Sequence, residues 1–413
     1  MKKHILVISQ YFYPEQFRIN DIALEWVKRG YKVTVLTGIP NYPQGKFYKG
    51  YGWLKKRKEV WNGIDIIRIP LFARGKTAVG MVLNYFSFVI SGFFWKCFTK
   101  TKADLVFTFE VSPMTQALIG VWYAKKNKVP NYLYVQDLWP ENVEIVTGIH
   151  NRMIIEPISK MVNYIYKNCD KIFATSPSFV KEIQKRTPEG QEKVIYWPQY
   201  AEEFYQPTNV KSDLIPQDGI LNITFTGNIG TAQGLEILPK TAQLLKAQGI
   251  KVRFNIVGDG RNKDNLIEQI KQNNVEEYFN LVGWQPATSI PSILAASNAA
   301  FLSFANNPLY SMTIPAKLQS YMACGCPIIA AASGETKRVI EDAKCGVVAE
   351  IGNEGSLGKA IRFYLDLTVE EKTKMKKYSL EYCQNNFNKQ DLIDVMIKEY
   401  LQIGEGANES IVN

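Results

Sequence analysis

The chain has 413 residues, 46% of them hydrophobic and 21% charged, with a formal net charge of +10. That composition excludes collagen-like, low-complexity and disulfide-scaffold chains, and the length predicts two globular domains of roughly 200 residues each. The basic excess points to an anionic partner, and charge by itself leaves a membrane surface, nucleic acid and a phosphate-rich ligand all open.

The first residues, MKKHILVISQ, are basic and then apolar. The apolar run is too short for a signal peptide and reads as a first buried strand at 4–9. Strand-like runs recur at 32–37, 64–69, 104–109, 132–136, 171–176 and 194–197, and again at 221–226, 252–257, 278–282, 299–304, 327–332 and 346–351. Amphipathic stretches such as DIALEWVKRG and LEILPKTAQLLKAQG lie between them. Strands that are apolar throughout, alternating with helices, predict parallel sheets covered on both faces, and hence two doubly wound Rossmann-like α/β domains. The expected division is a domain at 1–198, a proline-bearing linker at 199–218 and a domain at 219–385. A helix and frayed tail follow at 386–413.

Two segments in the first half suggest a surface. QGKFYKGYGWLKKRKEVW, 44–61, interleaves Lys46, Lys49, Lys55, Lys56, Arg57 and Lys58 with Phe47, Tyr48, Tyr51 and Trp53. Such a segment suits anionic headgroups at a membrane, or is a solvated loop. No nucleic-acid motif accompanies it, and nucleic acid is not expected. TAVGMVLNYFSFVISGFFW, 77–95, carries no charge and is long enough to span a bilayer, yet it holds Thr77, Asn84, Ser87 and Ser91 and sits inside a βα series. A core or interfacial helix is the expected outcome. The six cysteines form no CxxC pair, and neither His4 nor His150 lies near the Cys324–Cys326 pair in sequence, so reduced packing thiols are expected and no metal site. His4 falls inside the first strand and reads as structural, whereas His150 follows a loop.

In parallel sheets, ligands bind beyond the carboxyl ends of strands. There the second half is rich in glycine: GNIGTAQGLE after 221–226, GDGRNKDNL after 252–257 and GWQP after 278–282. Gly227, Asn228 and Gly230, with Gly258 and Gly260 on the neighbouring strand, form turns able to offer backbone N–H groups to phosphate, and Arg261 adds a cation. IPAKLQSYMACGCPIIA, 314–330, predicts a helix with Pro315 at its first position and Gly325 just past its end. Lys317 falls near the positive end of that helix, so either it is solvated or an anion faces it. There is no GxGxxG after the first strand, no Walker motif, no HExxH and no DxD, and no cofactor is expected.

SQYFYPE, TGIPNYPQGK, QDLWPENV, FTGNIGTAQGLE, VGDG, GWQP, IPAKLQSYMACGCPII and SGETKRVI, in this order along nearly the whole chain, resemble family 4 retaining glycosyltransferases of the GT-B type. The resemblance is to the bacterial surface-polysaccharide subgroup that includes N-acetyl-fucosamine transferases. It implies two lobes facing a central cleft, the second binding a nucleotide-sugar donor (UDP-linked) and the first an acceptor, here a polyprenyl-diphosphate-linked saccharide on the cytoplasmic membrane face. It assigns Gly227, Asn228 and Gly230 to the diphosphate, and Val282, Gly283 and Trp284 to the base. Lys317 and Arg261 become the diphosphate cations, and Gly334 and Glu335 form a loop approaching the donor. The Glu-x7-Glu pair of many members is replaced by Met312 and Ser320, beside Thr313, and no Arg or Lys occurs in TAQGLE. Tyr13, Asn41, Tyr42 and Trp139 fall in the matching strings of the acceptor lobe. Asp137 is the first candidate for acceptor binding or general base, with a capping role as its alternative, and Glu110 is the second. A nucleotide-sugar 2-epimerase of the same fold and a non-catalytic binder remain alternatives.

Overall fold

The apolar runs become two parallel sheets in the computed structural model, which describes residues 3–75, 77–148 and 150–401. The expected frayed tail at 404–413 lies outside the described residues. The chain divides into two units, Met1–Trp197 with Ile393–Asn413, and Pro198–Leu392. The C-terminal segment that returns to the first unit thus begins at Ile393.

The first unit contains β1 (His4–Ile8), β2 (Lys32–Gly38), β3 (Lys58–Trp61), β4 (Ile64–Ile69), β5 (Leu105–Glu110), β6 (Asn131–Val135), β7 (Lys171–Ala174) and β8 (Val194–Tyr196). They lie in the order β3-β4-β2-β1-β5-β6-β7-β8. All neighbours are parallel except β3, which pairs antiparallel with β4. Sequence reading missed β3, which falls inside the basic stretch 44–61. Its residues are exposed or half-buried, as befits a charged edge strand with no continuous apolar run.

The helix Ala78–Phe98 resolves the question posed by the uncharged stretch. One face is buried: Asn84 and Phe88 are inaccessible, Gly92 lies against Ile119, and Trp95 stacks on Tyr123 with ring centroids 5.7 Å apart. The opposite face exposes Val79, Val82, Leu83, Phe86, Ile90, Phe93, Phe94 and Phe98. These residues recur at three- and four-residue intervals, so the helix carries an apolar face on each side. It is therefore not a core helix buried all round.

The second unit contains β9 (Leu221–Thr226), β10 (Val252–Val257), β11 (Phe279–Gly283), β12 (Ala299–Ser303), β13 (Ile328–Ala331) and β14 (Gly346–Ala349), ordered β11-β10-β9-β12-β13-β14. Apolar clusters fill both faces of this sheet, one around Phe225, Phe254 and Leu357 and the other around Leu302, Leu318 and Ile340. The segment expected as a free linker is packed instead. Ile215 is buried in the second cluster, the Ser212 N–H donates to the Ser292 carbonyl at 3.1 Å, and Asp218 pairs with Arg253 at 2.6 Å. Its prolines shape an ordered coil.

Candidate functional site

The order of the second sheet reverses direction between β9 and β12. Their pairing stops at Ile223–Ala299 and Thr224–Ala300, short of the strand ends, so the two chains separate toward their carboxyl ends. This is the crevice in which doubly wound sheets hold ligands.

Beside it the glycine turns of β9, β10 and β11 are bonded to one another. The Gly227 N–H donates to the Val257 carbonyl at 2.9 Å, the Gly258 N–H to the Gly283 carbonyl at 2.8 Å, and the Ile229 N–H to the Asp259 carbonyl at 2.8 Å. Gly258 has φ of 151°, and a Cβ there would overlap the Gly227 carbonyl. The first turn does not run straight into a helix as expected. A short 3-10 turn, Thr231–Gln233, and the left-handed Gly234 precede the helix Ile237–Ala247. Gly227 and Asn228 are exposed and Gly230 is half-buried, anchored by the buried Ile229 between them.

Lys317 reaches this turn. Its ammonium lies 4.2 Å from the centroid of the Phe225 ring, bonds to Gln233 Oε1, and would sit 3.5 Å from a Cβ at Gly227. Among the described residues no carboxylate pairs with it. Its side chain keeps some exposure, but desolvation of the charge pulls its pKa down to about 7. The ammonium is thus packed against Phe225 and Gln233 beside the exposed backbone of Gly227, with no carboxylate partner among the described residues. Gln233 and Phe225 were not singled out in the sequence, because an amide in a turn and a phenylalanine in a strand carry no signal until Lys317 is folded over them.

The helix Ala316–Ala323 begins one position later than expected, with Pro315 as its N-cap. It ends at Cys324 with Gly325 left-handed at φ of 64°, as the sequence suggested. Ser320 is buried and donates back to the Ala316 carbonyl at 3.1 Å, so its hydroxyl is spent inside its own helix. Met312 and Thr313 are half-buried, and the Thr313 carbonyl accepts from Thr336 Oγ1 at 2.8 Å. Gly334 (φ 56°) lies so close to the Ser311 carbonyl that a Cβ would overlap it, which brings the loops after β12 and β13 together. Glu335 is buried and ion-paired to Arg338 at 2.6 Å. Arg261 is exposed beyond Gly260, Val282 and Gly283 are half-buried, and Trp284 is 70% exposed at the edge-strand end. Among the described residues no group of three His, Cys, Asp or Glu side chains is placed to hold a metal ion. Cys324 and Cys326 pack at the corner, where burial pushes both thiols up to about 12.

In the first unit the sequence candidates separate. Asp137 is half-buried just past β6, and its Oδ2 accepts the Ser112 N–H at 2.8 Å from the loop after β5, whereas the next helix, Glu141–Thr147, has no side-chain cap. Glu110 is inaccessible, and burial with the nearby Asp137 charge raises its pKa well above the usual range. A carboxyl sealed from solvent is out of reach of an incoming hydroxyl, so Glu110 is corrected to a core group. Asn41 is likewise corrected: it is inaccessible, its Nδ2 donating to the Ile39 carbonyl and its Oδ1 accepting from the Arg74 N–H at 2.9 Å. Trp139 is nearly buried with its Nε1 on Ser112 Oγ at 3.1 Å. Tyr13 is half-buried and stacks on Trp61 at 4.5 Å, and Tyr42 is 37% exposed. His4 is tied to Thr34 Oγ1 at 2.8 Å, in keeping with a structural histidine, and His150 is exposed.

Glu15 is a buried acid that escaped sequence reading. Glu15 Oε1 accepts the N–H groups of Asn41 and Tyr42 at 2.7 and 2.6 Å, and burial nonetheless raises its pKa to about 7. A glutamate inside a YPEQF string reads as surface until the loop folds over it.

Residues 209–382 match the family described as Glycosyl transferases group 1. The chain is 25% identical over 360 residues to a putative colanic acid biosynthesis glycosyl transferase, WcaI, of Escherichia coli, covering 81% of this chain and 84% of the relative. It is 25% identical over 228 residues to a probable glycosyltransferase, WbjE, of Pseudomonas aeruginosa, covering 52% and 54% respectively. Among solved structures, a sucrose-phosphate synthase of Thermosynechococcus elongatus superposes with a TM-score of 0.77 at 15% identity, covering 97% of this chain and 99% of that one. Anabaena HepE in complex with UDP and glucose superposes at 0.67 and 14%, covering 96% and 98%. Residues 209–382, within the second unit, thus resemble a glycosyl transferases group 1 domain, on a two-unit α/β fold of the GT-B type.

Proposed function

We propose that the chain is a retaining glycosyltransferase of family 4 that moves a sugar, of the N-acetylated amino-deoxy kind, from a UDP-sugar to a lipid-linked saccharide in surface-polysaccharide synthesis. The observation that carries this reading is Lys317, an unpaired, desolvated cation set against the glycine turn at the switch point of the second sheet. A leaving nucleoside diphosphate gains negative charge, and preorganised donors lower the barrier most. Lys317, the Asn228 and Gly230 N–H groups of the turn, the first N–H groups of the helix Ala316–Ala323 and Arg261 supply them without a bound metal. Asp137 receives or orients the acceptor hydroxyl, or the leaving phosphate takes its proton. The colanic acid assignment of the Escherichia coli relative and the UDP bound by the HepE neighbour support the substrate classes.

The test is UDP release from a panel of UDP-sugars, with and without prenyl-diphosphate saccharides. Release is expected to require the acceptor and to persist in EDTA. A soluble epimer formed without acceptor would replace this reading by the epimerase, and loss of activity in EDTA that Mg²⁺ restores would remove the metal-free one.

The reading includes peripheral attachment to the cytoplasmic membrane face. The exposed apolar face of Ala78–Phe98 adjoins Phe72 and Trp53, whose rings meet at 5.5 Å, with the Phe72 N–H on Ser87 Oγ at 3.0 Å. Exposed Lys46, Lys49, Lys55, Lys56 and Lys58 flank this surface, and charge complementarity selects an anionic bilayer as its occupant. The other face of the helix is packed on the first unit, so the helix lies in the interface plane and does not span. Full-length protein is expected to co-sediment with vesicles containing phosphatidylglycerol. Phe86→Glu with Ile90→Glu is expected to weaken that binding at least about tenfold. Equal binding by wild type and variant would remove this surface.

A further inference from the structure

Arg74 stands just before the helix Ala78–Phe98 and is half-buried. Its guanidinium lies 5.4 Å from the Tyr42 ring centroid and 6.0 Å from that of Tyr85. Among the described residues its side chain has no carboxylate partner, only the Met81 sulfur at 3.4 Å. Its backbone is pinned, since the Arg74 N–H donates to Asn41 Oδ1. Asn41 is itself held within the buried network of Asn84 and Gln10, the Gln10 amide donating to Asn84 Oδ1 at 2.7 Å. A guanidinium half-removed from water, flanked by two aromatic rings and lacking an anion, is a receptor for one.

A second observation points the same way. The Tyr11 hydroxyl is buried and without a hydrogen-bond partner. Its ring packs against Tyr42 at 5.5 Å, the same ring that the Arg74 guanidinium faces. An orphaned buried donor beside an unpaired cation is what an anion with several acceptor oxygens would satisfy. Tyr85 connects this corner to the acceptor candidate: Arg74 and Asp137 are both charges that act on its hydroxyl, with opposite sign. The helix that carries Tyr85 on its inner side carries Phe86, Val82 and Leu83 on its exposed apolar side. An anion held here therefore lies beside a surface suited to hydrocarbon.

We propose that Arg74, Tyr42, Tyr85 and the Tyr11 hydroxyl form a phosphoryl subsite for an anionic prenyl lipid, whose chain lies along the exposed face of Ala78–Phe98. The guanidinium takes two phosphoryl oxygens, the rings wall the group from water, and the saccharide beyond it extends toward Asp137. This assignment rests on the acceptor reading above and specifies the part of the acceptor that the first unit grips.

The experiment measures binding of farnesyl diphosphate to full-length protein by calorimetry, with farnesol, inorganic diphosphate and UDP as companion titrants. Farnesyl diphosphate is expected to bind wild type saturably, at least tenfold more tightly than farnesol or inorganic diphosphate. Arg74→Gln is expected to weaken it tenfold or more with UDP binding unchanged, and Arg74→Lys is expected to restore part of the loss. Lys317→Ala is expected to lose UDP and keep farnesyl diphosphate. Tyr85→Phe, which keeps the ring, should melt like wild type and weaken binding less than Arg74→Gln. Equal binding by wild type and Arg74→Gln, or loss of farnesyl diphosphate only in Lys317→Ala, would overturn the subsite while leaving the donor reading intact. Farnesol binding as tightly as its diphosphate would overturn phosphoryl recognition, and inorganic diphosphate binding as tightly would overturn the lipid assignment. Failure of wild type to bind UDP would count against the nucleotide-sugar reading separately.

Discussion

Replacing Lys317 by methionine is expected to lower kcat/KM by about 10²–10³-fold, the cost of removing one preorganised charge from a developing anion, about 3–4 kcal/mol. Methionine keeps much of the stem that packs near Phe225, so the unfolding midpoint of the second unit should not fall. It should rise below pH 7. Burial lowers the Lys317 pKa from 10.5 to about 7 in the folded chain. Between those values the unfolded chain binds the extra proton, so wild-type stability increases as pH rises from about 7 to about 10.5 and the desolvation penalty is fully felt below 7. The methionine variant should lack that dependence.

The same depression gives a signature in binding. A diphosphate in front of Lys317 favours its charged form and raises its pKa, so UDP binding at pH 8.5 should take up close to one proton. That uptake is read from calorimetry in buffers of different ionisation enthalpy. The affinity of wild type should weaken as pH rises above about 7, and that of Lys317→Met should not.

The second large effect is expected at Gly258. Gly258→Ala places a Cβ on the Gly227 carbonyl in a backbone conformation that L-residues rarely adopt. Strain and overpacking together should cost more than about 3 kcal/mol, enough to lower the melting temperature of a unit of this size by about 10 °C. Because Gly258 joins the β9 turn to the β11 end through the Gly283 carbonyl, nucleotide binding should fall further than stability. Calorimetric unfolding and UDP titration of the same sample separate the two. A variant that melts and binds like wild type would mean that the three strand ends are not one bonded unit.

These two residues also show how far the sequence was legible. Gly258 belongs to a string, VGDG, placed after an apolar run, and the physics of strand ends made it a phosphate candidate before its contacts were known. Lys317 announced itself by lying at the wrong end of a helix. Both signals are local, as are the periodicities that located every parallel strand. What escaped is non-local. β3 alternates exposed and half-buried residues on an edge and so lacks an apolar run. Glu15, Arg68 and Asn41 are polar residues whose burial depends on which loop folds over them. Asn41 and Glu110 sat at strand ends where ligands bind, and the structure turned both inward. Arg74, just ahead of an uncharged stretch of sequence, became distinctive only when Tyr42 and Tyr85 closed around it and no carboxylate did.

In the proposed reaction the second unit holds the diphosphate of a nucleotide sugar at the glycine turn under Lys317. The most direct test of that placement is the melting temperature of the full-length protein at pH 7 as UDP is raised through the millimolar range, for wild type and for Lys317→Met. A ligand that binds only the folded state raises the midpoint by mass action. The midpoint of wild type is expected to rise with UDP concentration, and that of the variant to rise little or not at all. No rise in wild type, or an equal rise in both proteins, would contradict that placement.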